Sequence, residues 1–189
     1  KNSEVKNDFQ FSNQEPFFTP HLLPIEFFHN KSSIGYSNLA EGGLSRWSGE
    51  AGLKICGFEV SSDGAIDQKI LALKPLRFGL EIIAEFSGTF ECRYAIAVYD
   101  HSGSCILKII SPLDKFEISE NHTRYVEVVL NPNQLGPGEY ILSVSIHKFD
   151  QIELINSTPR YDLLNRSFKF NVEVPGSLDP VAAKFFHSA

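Results

Sequence analysis

Apolar side chains from residue 51 onward recur at every second position, in short runs separated by polar turn residues. Such a period belongs to half-buried strands, and no long run keeps helical spacing. The clearest stretch is LNPNQLGPGEYILSVSI, residues 130–146. Asn131, Pro132, Gly136, Pro137 and Gly138 break it into two strands. In the second strand Tyr140, Leu142, Val144 and Ile146 face one way, and Ile141, Ser143, Ser145 and then His147 the other. The same pattern predicts strands at 53–61, 69–74, 77–87, 92–99, 104–110, 124–130, 139–149 and 166–174, with a hairpin-type Asp63-Gly64 turn after the first. In 77–87, Leu80, Ile82, Ala84 and Phe86 share one side. Short strands with frequent turns and no fixed repeat predict an all-β fold, an immunoglobulin-like antiparallel β-sandwich.

The first fifty residues read differently. Asn, Ser, Pro and Gly are interrupted by Phe17-Phe18 and Phe27-Phe28, with no sustained period. We read 1–45 as an extended arm anchored by its aromatics, 46–175 as the sandwich and 176–189 as a C-terminal tail. That tail, ending near Phe185-Phe186, buries readily against a second copy. Together with a closing strand near the chain end, it leads us to expect a homodimer.

Composition narrows the function. The net charge of −6 lacks the basic footprint that nucleic acid requires. No apolar run approaches the ~20 residues of a membrane helix, and no basic-then-apolar leader is visible. A chain opening on Lys1 and lacking methionine reads as part of a longer protein. Cys56, Cys92 and Cys105 are unclustered, so reduced thiols and a cytoplasmic setting are expected. The sequons at Asn30, Asn121, Asn156 and Asn165 are then chance.

Catalytic signals are sparse. Asp100, His101 and Ser102 are neighbours on a turn and form no triad. Ser145 and His147 share a strand face, with Asp150 beyond, but no nucleophile elbow surrounds them. Glu81 and Glu85 read as strand glutamates rather than a glycosidase pair. The histidines at 21, 29, 101, 122, 147 and 187 show no metal spacing. No catalytic residue, metal or cofactor is expected. Trp47, the single tryptophan, either stacks on a sugar or plugs the sandwich edge.

Three ordered segments carry a resemblance: RWSGEAGLKICGFEVSSDGA (46–65), AIAVYDHSGSCIL (95–107), and LGPGEYILSVSI (135–146) followed by YDLLNRSFKFNVEV (161–174). Together they resemble the C-terminal polysaccharide-binding domain of Wzt-type ABC exporter ATP-binding subunits. The resemblance implies a non-catalytic domain that binds a bacterial cell-surface polysaccharide such as O antigen, including a modified non-reducing end. It implies an ATPase domain upstream, a membrane exporter subunit as partner, paired subunits, and a cytoplasmic position peripheral to the inner membrane. No phosphate-binding GxxxxGK[ST] loop occurs in the chain itself. The competing expectations are a structural or adhesive immunoglobulin-like domain, or an accessory domain of a carbohydrate-active enzyme.

In an immunoglobulin-like order, strands 92–99, 139–149 and 166–174 share a sheet, with 104–110 at its edge. Their alternation sends Ile96, Val98, Leu142, Val144, Ile146, Phe168, Phe170 and Val172 inward. Arg93, Tyr99, Ser143, Ser145, His147, Lys169 and Asn171 are left outside as candidate glycan-binding residues, around a floor of Ala95 and Ala97 with Glu173 beyond. A shallow polar trough with an aromatic plate suits sugars. Small residues there equally suit a face covered by the arm or a second subunit. The other sheet is expected to expose an acidic, solvated surface of Glu81, Ile83, Glu85, Tyr125 and Glu127.

Overall fold

A computed structural model describes residues 34–62, 65–66, 70–148 and 159–174. Among the described residues the strands are β1 Leu53–Ser62, β2 Ala65–Ile66, β3 Ile70–Leu71, β4 Leu76–Ala84, β5 Gly88–Tyr99, β6 Cys105–Ile110, β7 Asp114–Ile118, β8 Thr123–Leu130, β9 Gly138–Lys148 and β10 Arg160–Glu173. One sheet runs β2-β1-β4-β8. The other runs β3-β10-β9-β5-β6, with β7 paired to the first half of β5. Every named pair is antiparallel except β3 with β10. The chain is thus an all-β sandwich, with the expected strands sharing the second sheet.

The core lies where the alternation put it. Ile96, Val98, Leu142, Val144, Ile146, Phe168, Phe170 and Val172 are all buried. Phe58 of one sheet meets Phe168 of the other with ring centroids 4.4 Å apart. Tyr140, ending the Pro-Gly-x-Tyr turn, donates its hydroxyl to the Gly136 carbonyl at 2.8 Å. That bond back to upstream backbone is the tyrosine-corner device of immunoglobulin-like sandwiches.

The described part of the arm, with Arg46 just after it, closes the gap between the sheets. Tyr36 bridges Phe58 of β1, while Leu39 and Arg46 bridge Phe168 and Leu164 of β10. Lys169 and Ala40 donate backbone N–H groups across this seam, to Asn38 at 2.8 Å and Ser167 at 2.9 Å. Asp162, fully buried, is its latch. It accepts the Ile55 N–H at 2.9 Å and lies 3.7 Å from Arg46, whose guanidinium also reaches the Ile55 carbonyl and the Tyr36 hydroxyl. A buried carboxylate needs such partners, because desolvation alone would expel its charge.

Several expectations need correction. Strand β10 begins at Arg160 rather than 166, and β5 at Gly88 rather than 92. The five-residue β7 is not among the expected strands: it alternates in burial, but it is short and three of its five residues, Asp114, Lys115 and Glu117, are charged. The 69–74 run reduces to Ile70–Leu71. Strand β4 ends at Ala84, so Phe86 lies exposed against Phe90 instead of entering the core. The acidic face is not solvated either: Glu59, Glu81, Tyr125 and Glu127 are buried, although Glu85 is exposed. Phe17-Phe18, Phe27-Phe28, Asp150 and the 176–189 tail lie outside the described residues.

Candidate functional site

The register of β10, β9, β5 and β6 places the candidate residues in rows on the outer face of the second sheet. Arg93, His147 and Arg160 form one row; Ala95, Ser145, Leu163 and Ile110 the next; Ala97, Ser143 and Lys108 the third. Tyr99, Ile141 and Lys169 follow, and Asn171 sits opposite Glu139 beyond them. From His147 to the Ile141 row is six residues of strand, about 20 Å at the usual rise. The structure therefore divides the seven candidates. Arg93, Ser145 and His147 gather at one end, Tyr99, Lys169 and Asn171 at the other, and Ser143 stands between. No single small-molecule ligand can touch both ends.

The hydroxyls do not line an open trough. Ser143 is buried; its oxygen donates to Asn165 Oδ1 at 3.1 Å and accepts the Arg166 N–H at 2.8 Å. It holds the irregularity where β10 slips register between Leu164 and Phe168. Ser145 is buried as well, 2.8 Å from His147 Nε2. Tyr99 is half-buried, with the Arg166 guanidinium stacked 4.5 Å from its ring centroid. That guanidinium also donates to the Gly103 carbonyl at 3.1 Å. One face of the expected aromatic plate is therefore occupied. Lys169 lies 3.8 Å from Glu41, and Asn171 is exposed.

His147 is only 4% exposed, and its Nδ1 has no hydrogen-bond partner among the described residues. Burial, then the positive charges of Arg160 and Lys108, push its pKa down to about 4, so the ring is neutral near pH 7. A nucleophile's base would have that nitrogen held by an acid. Glu81 accepts the Ile34 N–H at 3.0 Å and Glu85 the Gly52 N–H at 2.7 Å, so both carboxylates are engaged with backbone. Burial raises the Cys56 thiol to about 11 and the Cys92 thiol to about 12, away from thiolate chemistry. Among the described residues no group of three or more His, Cys, Asp or Glu is placed to hold a metal ion. No helix of the described residues is long and apolar enough to cross a membrane.

Trp47 does not plug the edge; it is 57% exposed. Arg46, its neighbour, turns inward to Ile55 and Asp162, so strand alternation directs Trp47 outward, beside its backbone partner Leu163 and the Ser145 row. Sequence periodicity does not single out Arg160, Lys108, Asn165 or Arg166. Arg160 precedes the predicted start of its strand, and Asn165 and Arg166 belong to a register slip that periodicity does not encode.

No family model matches the chain, and no curated protein matches it. Among solved structures, the C-terminal domain of Wzt superposes with a TM-score of 0.58 at 20% identity, covering 69% of this chain and 78% of that one. A Pseudomonas fluorescens alkylpurine DNA glycosylase gives 0.42 at 13% identity, over 65% of this chain and 31% of that one. The CARDB domain of a Pyrococcus furiosus protein gives 0.38 at 9% identity, over 67% and 94%. The sandwich and the superposition agree: the chain has the fold of the C-terminal domain of Wzt.

Proposed function

We propose that this chain is a non-catalytic carbohydrate-binding domain that holds a bacterial surface polysaccharide along the outer face of its second sheet. The observation that carries the reading is the shared fold with the C-terminal domain of Wzt, joined to the sequence resemblance across 46–174. The face is consistent with it in shape. It is extended, floored by Ala95 and Ala97, and flanked by an exposed tryptophan whose ring offers the apolar surface that sugar C–H faces stack on. By the same resemblance, the glycan is O antigen, the domain works as a pair beside an ATPase and a membrane exporter subunit, and it acts at the cytoplasmic side of the inner membrane.

Titrating the purified chain with a panel of surface polysaccharides, by calorimetry and tryptophan fluorescence, tests this. Weak, reversible binding that quenches Trp47 and falls at least several-fold in Trp47→Ala is expected. Loss of polymer length during the titration, or binding unaffected by both Trp47→Ala and Asn171→Ala, overturns the reading.

A further inference from the structure

We propose that the Arg160–His147 end of this face binds an oxyanion borne by the glycan, a carboxylate or a phosphate, so that the domain selects an acidic carbohydrate over a neutral one. The proposal rests on the carbohydrate-binding reading above and specifies its ligand.

Buried imidazoles ordinarily have both ring nitrogens engaged. In His147 only Nε2 is, through Ser145, while Nδ1 is buried and unpartnered among the described residues. Two cations act on the ring, Arg160 from the paired position on β10 and Lys108 from β6. Neither makes an ion pair among the described residues. Arg160 is half-buried and Lys108 exposed, so it is Arg160, in the row of His147, that is held closest to the ring. Arg93, the partner of His147 on β5, adds a third guanidinium to the row and also donates to the Ser111 carbonyl at 3.0 Å. Lys148, next along β9, turns away to Glu50 and the Tyr161 ring.

This arrangement suits an anion. Ser145 Oγ lies 2.8 Å from Nε2 and 3.5 Å from the Ala95 carbonyl, and the shorter contact is the better place for its single proton; with that proton given to Nε2, the neutral ring carries its own on Nδ1, a donor without an acceptor. An oxyanion that displaces the cover over Nδ1, which is buried, accepts from Nδ1–H and from the planar fork of Arg160, while Lys108, exposed and two rows along the face, adds only a longer-range charge. The bound negative charge favours the imidazolium, so binding takes up a proton and strengthens as pH falls.

The test uses the full chain at low ionic strength with glucuronate, glucose 6-phosphate, inorganic phosphate and glucose as probes. Affinity and the His147 ring resonances are followed by NMR. One or both acidic sugars should bind more tightly than glucose and than inorganic phosphate, and should move the His147 signals. Glucuronate binding should tighten several-fold from pH 7.5 to 5.5. Arg160→Gln should weaken binding about tenfold, the scale of one charge-assisted contact, Lys108→Gln should weaken it less, and His147→Gln should abolish the pH dependence. Glucose binding as well as both acidic sugars overturns the proposal. So does inorganic phosphate binding as tightly as either, which leaves an adventitious ion only. A neutral polysaccharide bound equally by wild type and Arg160→Gln overturns the anion site but keeps the carbohydrate-binding function. Acidic monosaccharides bound with no polysaccharide binding overturn the glycan reading itself.

Discussion

The outer faces of the two sheets both carry polar side chains and treat them in opposite ways. On the first sheet the acids are paired inside the protein. Tyr125 donates to Glu59 at 3.0 Å, Arg77 to Glu127 at 2.8 Å, and the Ile34 N–H to Glu81 at 3.0 Å. Burial, and then the charge of Glu59, raises the Tyr125 pKa, so its hydroxyl stays a donor. On the second sheet the serines are spent on Asn165, Arg166 and His147, yet one imidazole nitrogen and two cations remain unmatched among the described residues. A face whose groups satisfy one another is a wall. A face that keeps a buried imidazole nitrogen unpaired at one end, beside the half-buried Arg160, and an exposed tryptophan at its flank, is where a ligand gains most, because an unpaired buried polar group is costly until it finds a partner.

The largest effect is expected where neither outer face is involved. Leu142→Ala empties a fully buried core position and should cost ~2–5 kcal/mol in urea unfolding, a yardstick for the smaller effects on the two faces. Next comes the first sheet's wall. A Cβ on Gly79 would collide with the Tyr125 hydroxyl and stand 2.9 Å from Glu59 Cγ. Gly79→Ala should therefore push that hydrogen-bonded pair apart and cost ~1–3 kcal/mol, without altering ligand binding. If it is neutral, the acidic face is looser than its hydrogen bonds imply, and the contrast between the faces weakens.

The second sheet should answer to pH. The folded value of His147, about 4, lies below its ordinary 6.5. The neutral ring's contribution is thus complete above pH 6.5 and is lost as pH falls toward 4, at no more than ~1.4 kcal/mol per pH unit. Unfolding free energies measured from pH 7 to 4 should fall more steeply for the wild type than for His147→Gln. Parallel curves would mean that the ring is less enclosed than its geometry shows.

How much of this was legible in the sequence differs between core and surface for a physical reason. Strand alternation reports which side chains leave water, so Ile96, Leu142, Val144 and Phe168 fell correctly inward. It says nothing of what covers the opposite side. Glu81 and Glu127 were expected in solvent because carboxylates usually are, yet Glu81 caps a backbone N–H of the arm and Glu127 holds Arg77. Likewise Ser143 and Ser145 were placed on the right face but expected as open hydroxyls. Their partners come from a register slip in β10 and from the neighbouring His147, and a slip leaves no trace in a period of two. Arg160 was missed because its stretch, RYDLLN, does not show the clean alternation by which its strand was recognised from 166 onward.

The smallest stability effect, and the one that most sharpens the contrast, is at Tyr99. Its ring carries Arg166, a residue held at φ +48° by the slip in β10. A partly exposed cation–π contact contributes ~0.5–1 kcal/mol, so Tyr99→Ala should cost about that much, well below Leu142→Ala. Tyr99→Phe keeps the ring and should cost less than half of it. The binding readout separates two roles for the same side chain. If Tyr99 acts as a sugar plate, Tyr99→Ala weakens polysaccharide binding at least several-fold while Arg166→Ala, which bares the ring, leaves it equal or stronger. If Tyr99 serves only to position Arg166, both variants weaken binding alike, and Trp47 is left as the aromatic surface on which the glycan lies.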